Sequence, residues 1–369
     1  MAASVVSAAT STSQRLVVES IGSASPSLAG VLADQLGVAP DRVATALYRA
    51  PAILMDALPL NQAQQLANIL RQAGLVIRVE SSAAPRPEPG ATYDIAVYIE
   101  DPTDVPDCCE RLSGFLGCTA VTALNMLLAP PGVVLGNVSL ATRDALARQL
   151  KGLAVQVVSS PRDKATYQLL IEREPGPMLD RLLQDLKQMG LAANNNHTLF
   201  LDHQQASQLW RRHQAAGGLR LLDCTFLRYE LSLTQITPAS RTEQLPELAG
   251  LPAELVDTVI ANLPVVVEEG ISHGALTDRL RAWQSAGMPV EVSLSSLRRC
   301  HLTIPAGSFL EPALPLLQQA GLLAADSGSP ALPWHSPILQ GELLPRWLQA
   351  GLEQLDIPAI WEELPHEPQ

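Results

Sequence analysis

The sequence is poor in aromatic rings and in charge. Phe, Trp and Tyr make up only 4% of its 369 residues, so the chain has few rings on which bases or sugars could stack. Charged residues make up 17%, below the roughly 25% that is usual for soluble domains. The net charge of −12 repels phosphate backbones over much of the surface. These shortages argue against a nucleic-acid partner and leave apolar surface for protein partners.

Cysteines with the spacing of a metal site or a disulfide framework are also missing. The five cysteines are odd in number and contain no CxxC spacing, which favours a reducing compartment: Cys108, Cys109, Cys118, Cys224 and Cys300.

Segments that target a protein to a membrane are missing too. The start of the chain, MAASVVSAATSTSQRL, lacks the basic residues and unbroken apolar core of a secretory signal, and no run of about 18 apolar residues occurs. We expect a cytoplasmic protein without a membrane span.

Motifs of catalysis and cofactor binding are missing as well. The sequence has no GxSxG, no phosphate-binding loop, no GxGxxG and no HExxH. The adjacent acids Glu268 and Glu269, and likewise Glu362 and Glu363, are predicted to be solvated rather than to act as acid and base. We therefore expect no enzyme activity, no cofactor and no bound metal.

What the sequence does contain is a repeated block. The stretch from Leu36 to Ser81 lies over a second stretch almost without a gap when 213 is added to each residue number. Such a repeat predicts one small fold that is used several times. The coinciding residues include Gly37 and Gly250, Pro51 and Pro264, and Gly74 and Gly287, with Gly117, Pro131 and Gly152 in a further copy.

The first copy is predicted to have the element order β, α, α, β, α, β. An apolar run from Arg15 to Ile21 predicts the first strand. The first helix is predicted from Ser25 to Leu36, with Ser25 as its N-cap and Gly37 at its end. The predicted buried face of this helix consists of Leu28, Val31, Leu32 and Leu36.

The spacing of apolar residues predicts two more helices in the first copy. The second is predicted to bury Val43, Leu47 and Ala50, and Pro51 stops it. The third is predicted to end at Gly74 and to bury Ala63, Leu66, Ile69 and Leu70.

Applied along the chain, the pattern predicts a mixed α/β (α+β) protein built as a tandem array of about five small βααβαβ modules. The third and fifth modules are predicted to lack the middle helix. The predicted boundaries are a flexible start at 1–14, module 1 at 15–81, a proline-rich linker at 82–92, module 2 at 93–160, module 3 at 165–224, module 4 at 226–293 and module 5 at 300–364.

A set of turn, cap and strand residues in the first module matches a known family. They are Gly22, the Leu36, Gly37, Val38 turn, the Ala50, Pro51, Ala52 break, Ala63, Leu66, the Ala73, Gly74 cap and the strand from Val76 to Glu80. With these residues the module resembles the C-terminal domain of the bacterial ribosomal large-subunit stalk protein. This resemblance implies a small α/β fold that recruits translational GTPases in a bacterial cytoplasm. The family carries basic residues on its factor-binding face at positions that fall here on Ser25, Gly30, Ala33 and Ala44, none of which is basic.

Repetition, low charge and missing catalytic motifs together indicate a non-catalytic scaffold or adaptor. Its protein partners are expected to dock on apolar helix faces, with self-association as a further use of those faces. In module 2, Leu124, Met126, Leu127 and Leu128 crowd one short helix and cannot all face so small a core. The predicted partner-binding residues are Leu28, Leu32, Val43, Leu47, Leu124, Leu127, Val256 and Ile260.

Two alternatives remain open from the sequence. A translation-associated or GTPase-recruiting factor is implied by the resemblance alone. An enzyme or metal protein would use His197, His203 and His213 of module 3, although their spacing lacks a metal-ligand signature, and surface histidines are expected instead.

Overall fold

The computed structural model describes residues 13–88, 90–172, 175–191, 199–324 and 328–364. Most of the predicted flexible start, 1–14, lies outside the described residues, as does His197. The chain divides into two compact units. Unit 1 comprises the described residues up to Ile95, with Pro106–Leu124 and Leu135–Arg162. Unit 2 comprises Ala96–Val105, Asn125–Val134 and the described residues from Asp163 onward, so module 2 contributes to both units.

Module 1 has the predicted element order. Its sheet is antiparallel, and the first strand lies in the middle, in the order β2-β1-β3. Its elements are β1 (Gln14–Ser20), α1 (Ser27–Leu36), α2 (Pro40–Tyr48), β2 (Ala52–Leu58), α3 (Leu60–Gln72) and β3 (Val76–Ser81).

Module 2 repeats this order of elements. Its three-stranded sheet has the order β5-β4-β6, again with the first strand in the middle. Its elements are β4 (Tyr93–Ile99), α4 (Val105–Leu116), α5 (Ala120–Leu128), β5 (Val133–Val138), α6 (Leu140–Gln149) and β6 (Val155–Pro161).

Module 3 is shorter, as predicted. Its described residues hold one helix between the first two strands, and the sheet order is β8-β7-β9. Its elements are β7 (Thr166–Ile171), α7 (Pro177–Gln188), β8 (Leu199–Asp202), α8 (His203–His213) and β9 (Leu219–Asp223).

Module 4 returns to the full pattern with shorter first and second helices. Its sheet order is β11-β10-β12, which leaves β11 at an edge. Its elements are β10 (Arg228–Leu233), α9 (Leu245–Ala249), α10 (Val256–Ala261), β11 (Val265–Ser272), α11 (His273–Ser285) and β12 (Val290–Ser293).

Module 5 contains two strand pieces that the sequence pattern does not predict. Each is two residues long, too short to show the alternation that marks a strand. Both pair with β13, as does the last strand. The elements are β13 (Arg299–Ile304), α12 (Leu314–Gln319), β14 (Trp334–His335), β15 (Leu339–Gln340), α13 (Leu343–Gln354) and β16 (Ile360–Glu363).

The mixed α/β (α+β) class is therefore as predicted, and the structure adds that the strands of modules 1, 3, 4 and 5 pair antiparallel. The details of α1 differ from the prediction. Pro26, not Ser25, is the N-cap residue, and no side chain caps the helix. Among the side chains of α1 that the structure describes, which do not include Leu36, Ala29 and Ala33 are buried, Leu28 and Leu32 are half-buried, and Val31 is 57% exposed. Neighbouring residues on a helix point about 100° apart, so a stripe of alanines beside the leucines turns the larger side chains partly outward.

The predicted buried face of α3 is wrong at Ile69 for the same reason, and Leu66 is only half-buried. Ala63, Ala67 and Leu70 are buried and form an i, i+4, i+7 stripe. Ile69 lies about 100° from Leu70 and is 60% exposed.

Modules 3 and 4 share one hydrophobic core in unit 2. Trp283 of α11 is fully buried there together with Leu231 of the central strand β10. Leu170 and Leu222 of module 3 belong to the same cluster. Because apolar side chains of both modules are buried against one another, the hydrophobic effect stabilises the packing of module 3 on module 4.

In modules 1 and 4, the residue that follows the third helix has to be glycine because another backbone segment passes close to it. Gly287 has φ +69°, and a Cβ there would lie 2.4 Å from the carbonyl oxygen of Ala239. The aligned Gly74 has φ +99°, and a Cβ there would lie 2.7 Å from the backbone nitrogen of Ala24. In both modules, only glycine fits between the third helix and the segment after the first strand.

We expect Gly287→Ala to lower the free energy of unfolding by about 2–3 kcal/mol, because it adds overpacking to left-handed backbone strain. Gly250→Ala is the matched control in the same module. Gly250 also has a positive φ, but a Cβ there meets nothing within 4 Å. The control should cost about 1 kcal/mol. Urea denaturation followed by circular dichroism measures both, and equal costs would contradict the steric argument.

Candidate interaction surfaces

Four of the eight predicted partner-binding residues lie in module cores. Val43 and Leu47 of α2 are buried, and so are Leu124 and Leu127 of α5. The prediction that they contact a partner directly is wrong. The crowded apolar run in α5 is accommodated because two of its large side chains reach the interior and Met126 and Leu128 are half-buried.

The other four predicted residues are half-buried. Val256 and Ile260 pack against the core of module 4, so α10 uses them for internal packing. Leu28 and Leu32 of α1 are only partly covered. Of the predicted set, these two leucines remain the accessible candidates.

The apolar side chains that are well exposed are mostly ones that sequence periodicity did not select. They are spread over all five modules, which fits several separate contact surfaces better than one. The most exposed are Phe309 at 68%, Val121 at 67%, Met178 at 61%, Ile69 at 60%, Val31 at 57% and Ile360 at 57%.

A polar network in unit 2 surrounds Tyr98 of β4. The Tyr98 hydroxyl donates to Oε1 of Glu342 at 2.9 Å, and the Ser295 hydroxyl donates to Oε2 of Glu342 at 3.0 Å. Nη1 of Arg346 lies 3.2 Å from Oε1 of Glu342. The Arg228 guanidinium stacks over the Tyr98 ring, 4.9 Å from its centroid. The network thus joins β4 to modules 4 and 5.

Backbone contacts extend this network. Nη1 of Arg346 donates to the carbonyl oxygen of Ile99 at 3.2 Å, and Nη2 donates to that of Glu100 at 2.5 Å. A Cβ at Gly270 would lie 2.7 Å from the Tyr98 hydroxyl, so glycine makes room for the phenol there.

Sequence reasoning missed the buried arginines, although the repeat contains a signal for them. Arg228 falls on Arg15 at the offset of 213, and both are buried, at 5% and 1% exposure. Nε of Arg15 donates to Glu80 at 2.6 Å. An arginine repeated at the start of an apolar strand indicates a buried cation whose N–H groups have acceptors, which are the Glu80 carboxylate for Arg15 and the backbone carbonyls of Thr225 and Leu227 for Arg228.

Burial raises the pKa of three tyrosines, Tyr48, Tyr98 and Tyr229, to about 12 from the usual 10.0, and nearby negative charge adds to the effect. For Tyr98 the second cause is the Glu342 carboxylate.

Stability should therefore fall as the pH rises from about 10 to about 12. The folded state holds the phenolic protons more tightly than the unfolded state, so their contribution is fully present below the unfolded pKa and is lost through the folded pKa. Urea midpoints across this range measure the loss. Tyr98→Phe should make the alkaline loss smaller than in the unmodified chain, and an unchanged loss would contradict the assignment to Tyr98.

A cleft of about 530 Å³ lies in module 4 between the C-terminal end of α9 and the strand β11. Glu268 on the cleft wall accepts hydrogen bonds from Nε and Nη2 of Arg279, at 2.7 and 2.6 Å, and from the indole N–H of Trp283. The prediction that Glu268 is simply solvated is therefore wrong, because it is paired and half-buried. The cleft is lined by Glu247, Leu248, Ala249, Gly250, Val266, Val267, Glu268 and Glu269.

A second cleft, of about 370 Å³, lies in unit 1 beside α4. Nη1 of Arg111 crosses it to donate to the carbonyl oxygens of Gln149 at 3.4 Å and Lys151 at 2.9 Å. The guanidinium thus satisfies carbonyls at the C-terminal end of α6, where a cation is favoured. Asp107 and Glu110 complete the rim.

The histidines and cysteines do not assemble a metal site in the described part of the chain, where no group of three or more His, Cys, Asp or Glu ligands occurs. His213 is not a surface residue as predicted. It is buried, and its Nε2 lies 2.9 Å from Oδ2 of Asp185. His203 pairs with Tyr167 instead of a ligand set. Cys108 and Cys109 are buried, as expected of core residues.

In the described ranges, no single helix has both the length and the apolar composition needed to cross a membrane, although one bent pair, Pro102–Leu116 with Ala120–Leu128, passes that test jointly. Comparisons of the chain with protein families, curated proteins and solved structures give no match. The function must therefore be inferred from the chain's own residues.

Proposed function

We propose that this protein is a non-catalytic scaffold that binds protein partners on the outer surfaces of its repeated modules. One observation carries the proposal: large apolar side chains stay exposed on every module while the module interiors are filled. Phe309, Val121 and Met178 each expose more than half of their surface. An exposed apolar side chain loses its contact with water when a partner covers it, and the buried cores of protein–protein interfaces are apolar.

The fixed arrangement of modules in unit 2 supports the same proposal. A shared core joins modules 3 and 4, and the Tyr98 network ties β4 to modules 4 and 5. A scaffold gains from such rigidity because surfaces held in one geometry lose less entropy when partners bind.

The chemistry of the polar clusters also favours binding over catalysis. Two of the polar clusters pair an acid with an arginine, Glu268 with Arg279 and Glu342 with Arg346. Groups saturated in this way are poorly placed to exchange protons with a substrate.

Crosslinking of the full-length protein in its own cells, followed by mass spectrometry, tests the proposal. We expect a stoichiometric partner that is crosslinked close to one of the exposed apolar side chains. Val121→Asp is a suitable variant because a charge on that surface should weaken an apolar contact. Ribosomes or translation factors as the partner would favour the translation-associated alternative.

Thr122→Asp is the matched control. Thr122 is the exposed neighbour of Val121 on α5, so it receives the same charge without the loss of an apolar group. If neither variant loses capture of the partner, the contact surface lies on another module. A turnover activity that disappears when one carboxylate or histidine is replaced would contradict the non-catalytic proposal.

A further inference from the structure

Modules 3 and 4 contain the same contact between a tyrosine and a histidine. In module 3, the Tyr167 hydroxyl lies 3.4 Å from Nδ1 of His203, and the ring centroids are 6.1 Å apart at an interplanar angle of 38°. In module 4, the Tyr229 hydroxyl lies 3.1 Å from Nδ1 of His273, and the centroids are 5.8 Å apart, again at 38°. Each tyrosine is the second residue of its module's first strand, and each histidine begins the module's last helix. The two contacts are therefore one feature of the repeated module.

In module 4, a ring from module 3 covers this contact. The Phe200 ring lies 5.9 Å from the His273 ring, within the usual range for attractive aromatic pairs. Phe200 and Leu222 both lie opposite Gln168 in the sheet of module 3, so the two side chains share one face. Leu222 belongs to the hydrophobic core that modules 3 and 4 share, and Leu280 of α11 packs against that core. One face of a sheet thus rests on the side of α11 that carries His273 and Leu280.

The last helix of module 3, α8, aligns with α11 when 70 is added to each residue number. The buried His213 then falls on the buried Trp283, so both helices turn the same side toward the interior. Trp210 falls on Leu280. Trp210 also follows His203 by seven residues, which places both on one side of α8, about 10 Å apart. We call this side of α8 the His203–Trp210 stripe.

The His203–Trp210 stripe is open, although its counterpart on α11 is covered. Trp210 is 43% exposed, and His203 is half-buried. Among the described residues, the one ring that contacts His203 is that of Tyr167. Apolar surface that stays in contact with water gains free energy when a partner covers it. The stripe therefore has the residues of a sheet-binding surface, but no described sheet lies on it.

On this basis we propose that the His203–Trp210 stripe binds a β-sheet face of a partner protein. An aromatic ring of the partner packs on His203, as Phe200 packs on His273, and an aliphatic side chain of the partner packs on Trp210. The inference rests on the proposed scaffold function and specifies the chemistry of one partner.

A second copy of the chain is a poorer match for the stripe. The sheet face of module 3 that suits α11 is already covered within each copy. In the sheet of module 5, Leu302 points into the core, so His301 and Thr303 lie on the outer face, opposite Glu362 and Ile360. These residues provide one aliphatic side chain but no phenylalanine, tyrosine or tryptophan ring. We therefore assign the stripe to a different protein.

NMR of the full-length protein with isotope-labelled histidine tests the ring contact. The probe is N-acetylphenylalanine amide, and N-acetylleucine amide is its aliphatic counterpart. We expect the His203 ring signals, identified by their loss in His203→Gln, to shift when the phenylalanine probe is added. Its affinity should be about two- to tenfold higher than that of the leucine probe. The His273 signals should not shift, because Phe200 already covers that ring.

Phe200→Ala provides the comparison within the chain, because it uncovers the His273 ring, whose signals should then respond as well. Phe309→Ala is the matched control. It removes a phenylalanine that is 68% exposed and that forms no ring contact with a described histidine, so His273 should remain unresponsive. A His203 ring that does not respond, or equal affinities for the two probes, would overturn the inference and leave the scaffold function standing.

A photoreactive benzophenone side chain in place of Ser207 tests for the partner. Ser207 is one helical turn from His203 and lies between it and Trp210. In the full-length protein in its own cells, we expect a crosslink to a peptide of another protein that contains phenylalanine, tyrosine or tryptophan. A crosslink to the chain itself would identify a second copy as the occupant and would contradict the assignment to a different protein.

Trp210→Ala should lower the yield of this crosslink at least about fivefold, as expected for a tryptophan at the centre of a contact. Leu183→Ala is the matched control, because Leu183 is 40% exposed on α7 and lies about 160° around that helix from Asp185, which faces α8. The control should leave the yield unchanged. If no crosslink forms, or if Trp210→Ala leaves the yield unchanged, no partner docks on the stripe. Partner capture through another module would then still support the scaffold function.

Discussion

Replacing Trp283 by alanine should lower the free energy of unfolding by about 3–5 kcal/mol, the range measured for large aromatic side chains removed from cores. Trp283 is fully buried at the centre of the core that modules 3 and 4 share. The substitution leaves a cavity and also removes the indole N–H that donates to Glu268. Urea denaturation followed by circular dichroism measures the loss as a lower midpoint.

Trp210→Ala is the matched control, because it removes the same side chain from α8, where Trp210 is 43% exposed. Its cost should be about 1 kcal/mol or less. Trp283→Phe keeps most of the packing and loses the hydrogen bond, so its cost should fall between the two. Equal losses for the two alanine variants would show that Trp283 is not the centre of the core.

Glu342→Ala should produce the second-largest effect, about 3–4 kcal/mol, because it removes one partner of a largely buried ion pair. Glu342 is 11% exposed and accepts hydrogen bonds from Tyr98, Ser295 and Arg346. Without its carboxylate, the Arg346 guanidinium and the Tyr98 hydroxyl lose their common acceptor. The same urea denaturation measures the loss.

A double-mutant cycle isolates the interaction energy between Glu342 and Arg346 from the other effects of each substitution. Glu342→Ala and Arg346→Ala together should cost about 1–2 kcal/mol less than the sum of the single variants. Asp278→Ala provides a control ion pair, since Asp278 and Arg281 on α11 are 79% and 71% exposed. Its cost should stay below about 0.5 kcal/mol. Strict additivity of Glu342 and Arg346 would contradict a coupled network.

The sequence predicted correctly those features of the structure that depend on residues close together in the chain. Gly37 and Gly250 end the first helices of modules 1 and 4 in the left-handed conformation, as their place after an apolar helix predicted. Val43 and Leu47, four residues apart on α2, are buried as the helical period predicted. The spacing of the elements also predicted that module 3 is shorter, and its described residues hold one helix between the first two strands.

The candidate site was predicted less well than the fold. Leu124 and Leu127 were assigned to a partner surface because α5 holds more apolar side chains than so small a core was expected to need. Both are buried. Periodicity states which residues share a face, but not what covers that face.

By itself, the sequence determined the repeated order of helices and strands and the glycines that join them. The hydrogen bonds of a helix, the left-handed turns and the spacing of buried residues along an element depend on residues within a few positions of one another. A local sequence pattern is therefore enough to predict them. Only the tertiary structure decided which charges are paired, which apolar faces stay open, and that Tyr98 meets Glu342, which lies 244 positions away in the chain. Such contacts depend on how modules pack, and no local pattern encodes that packing.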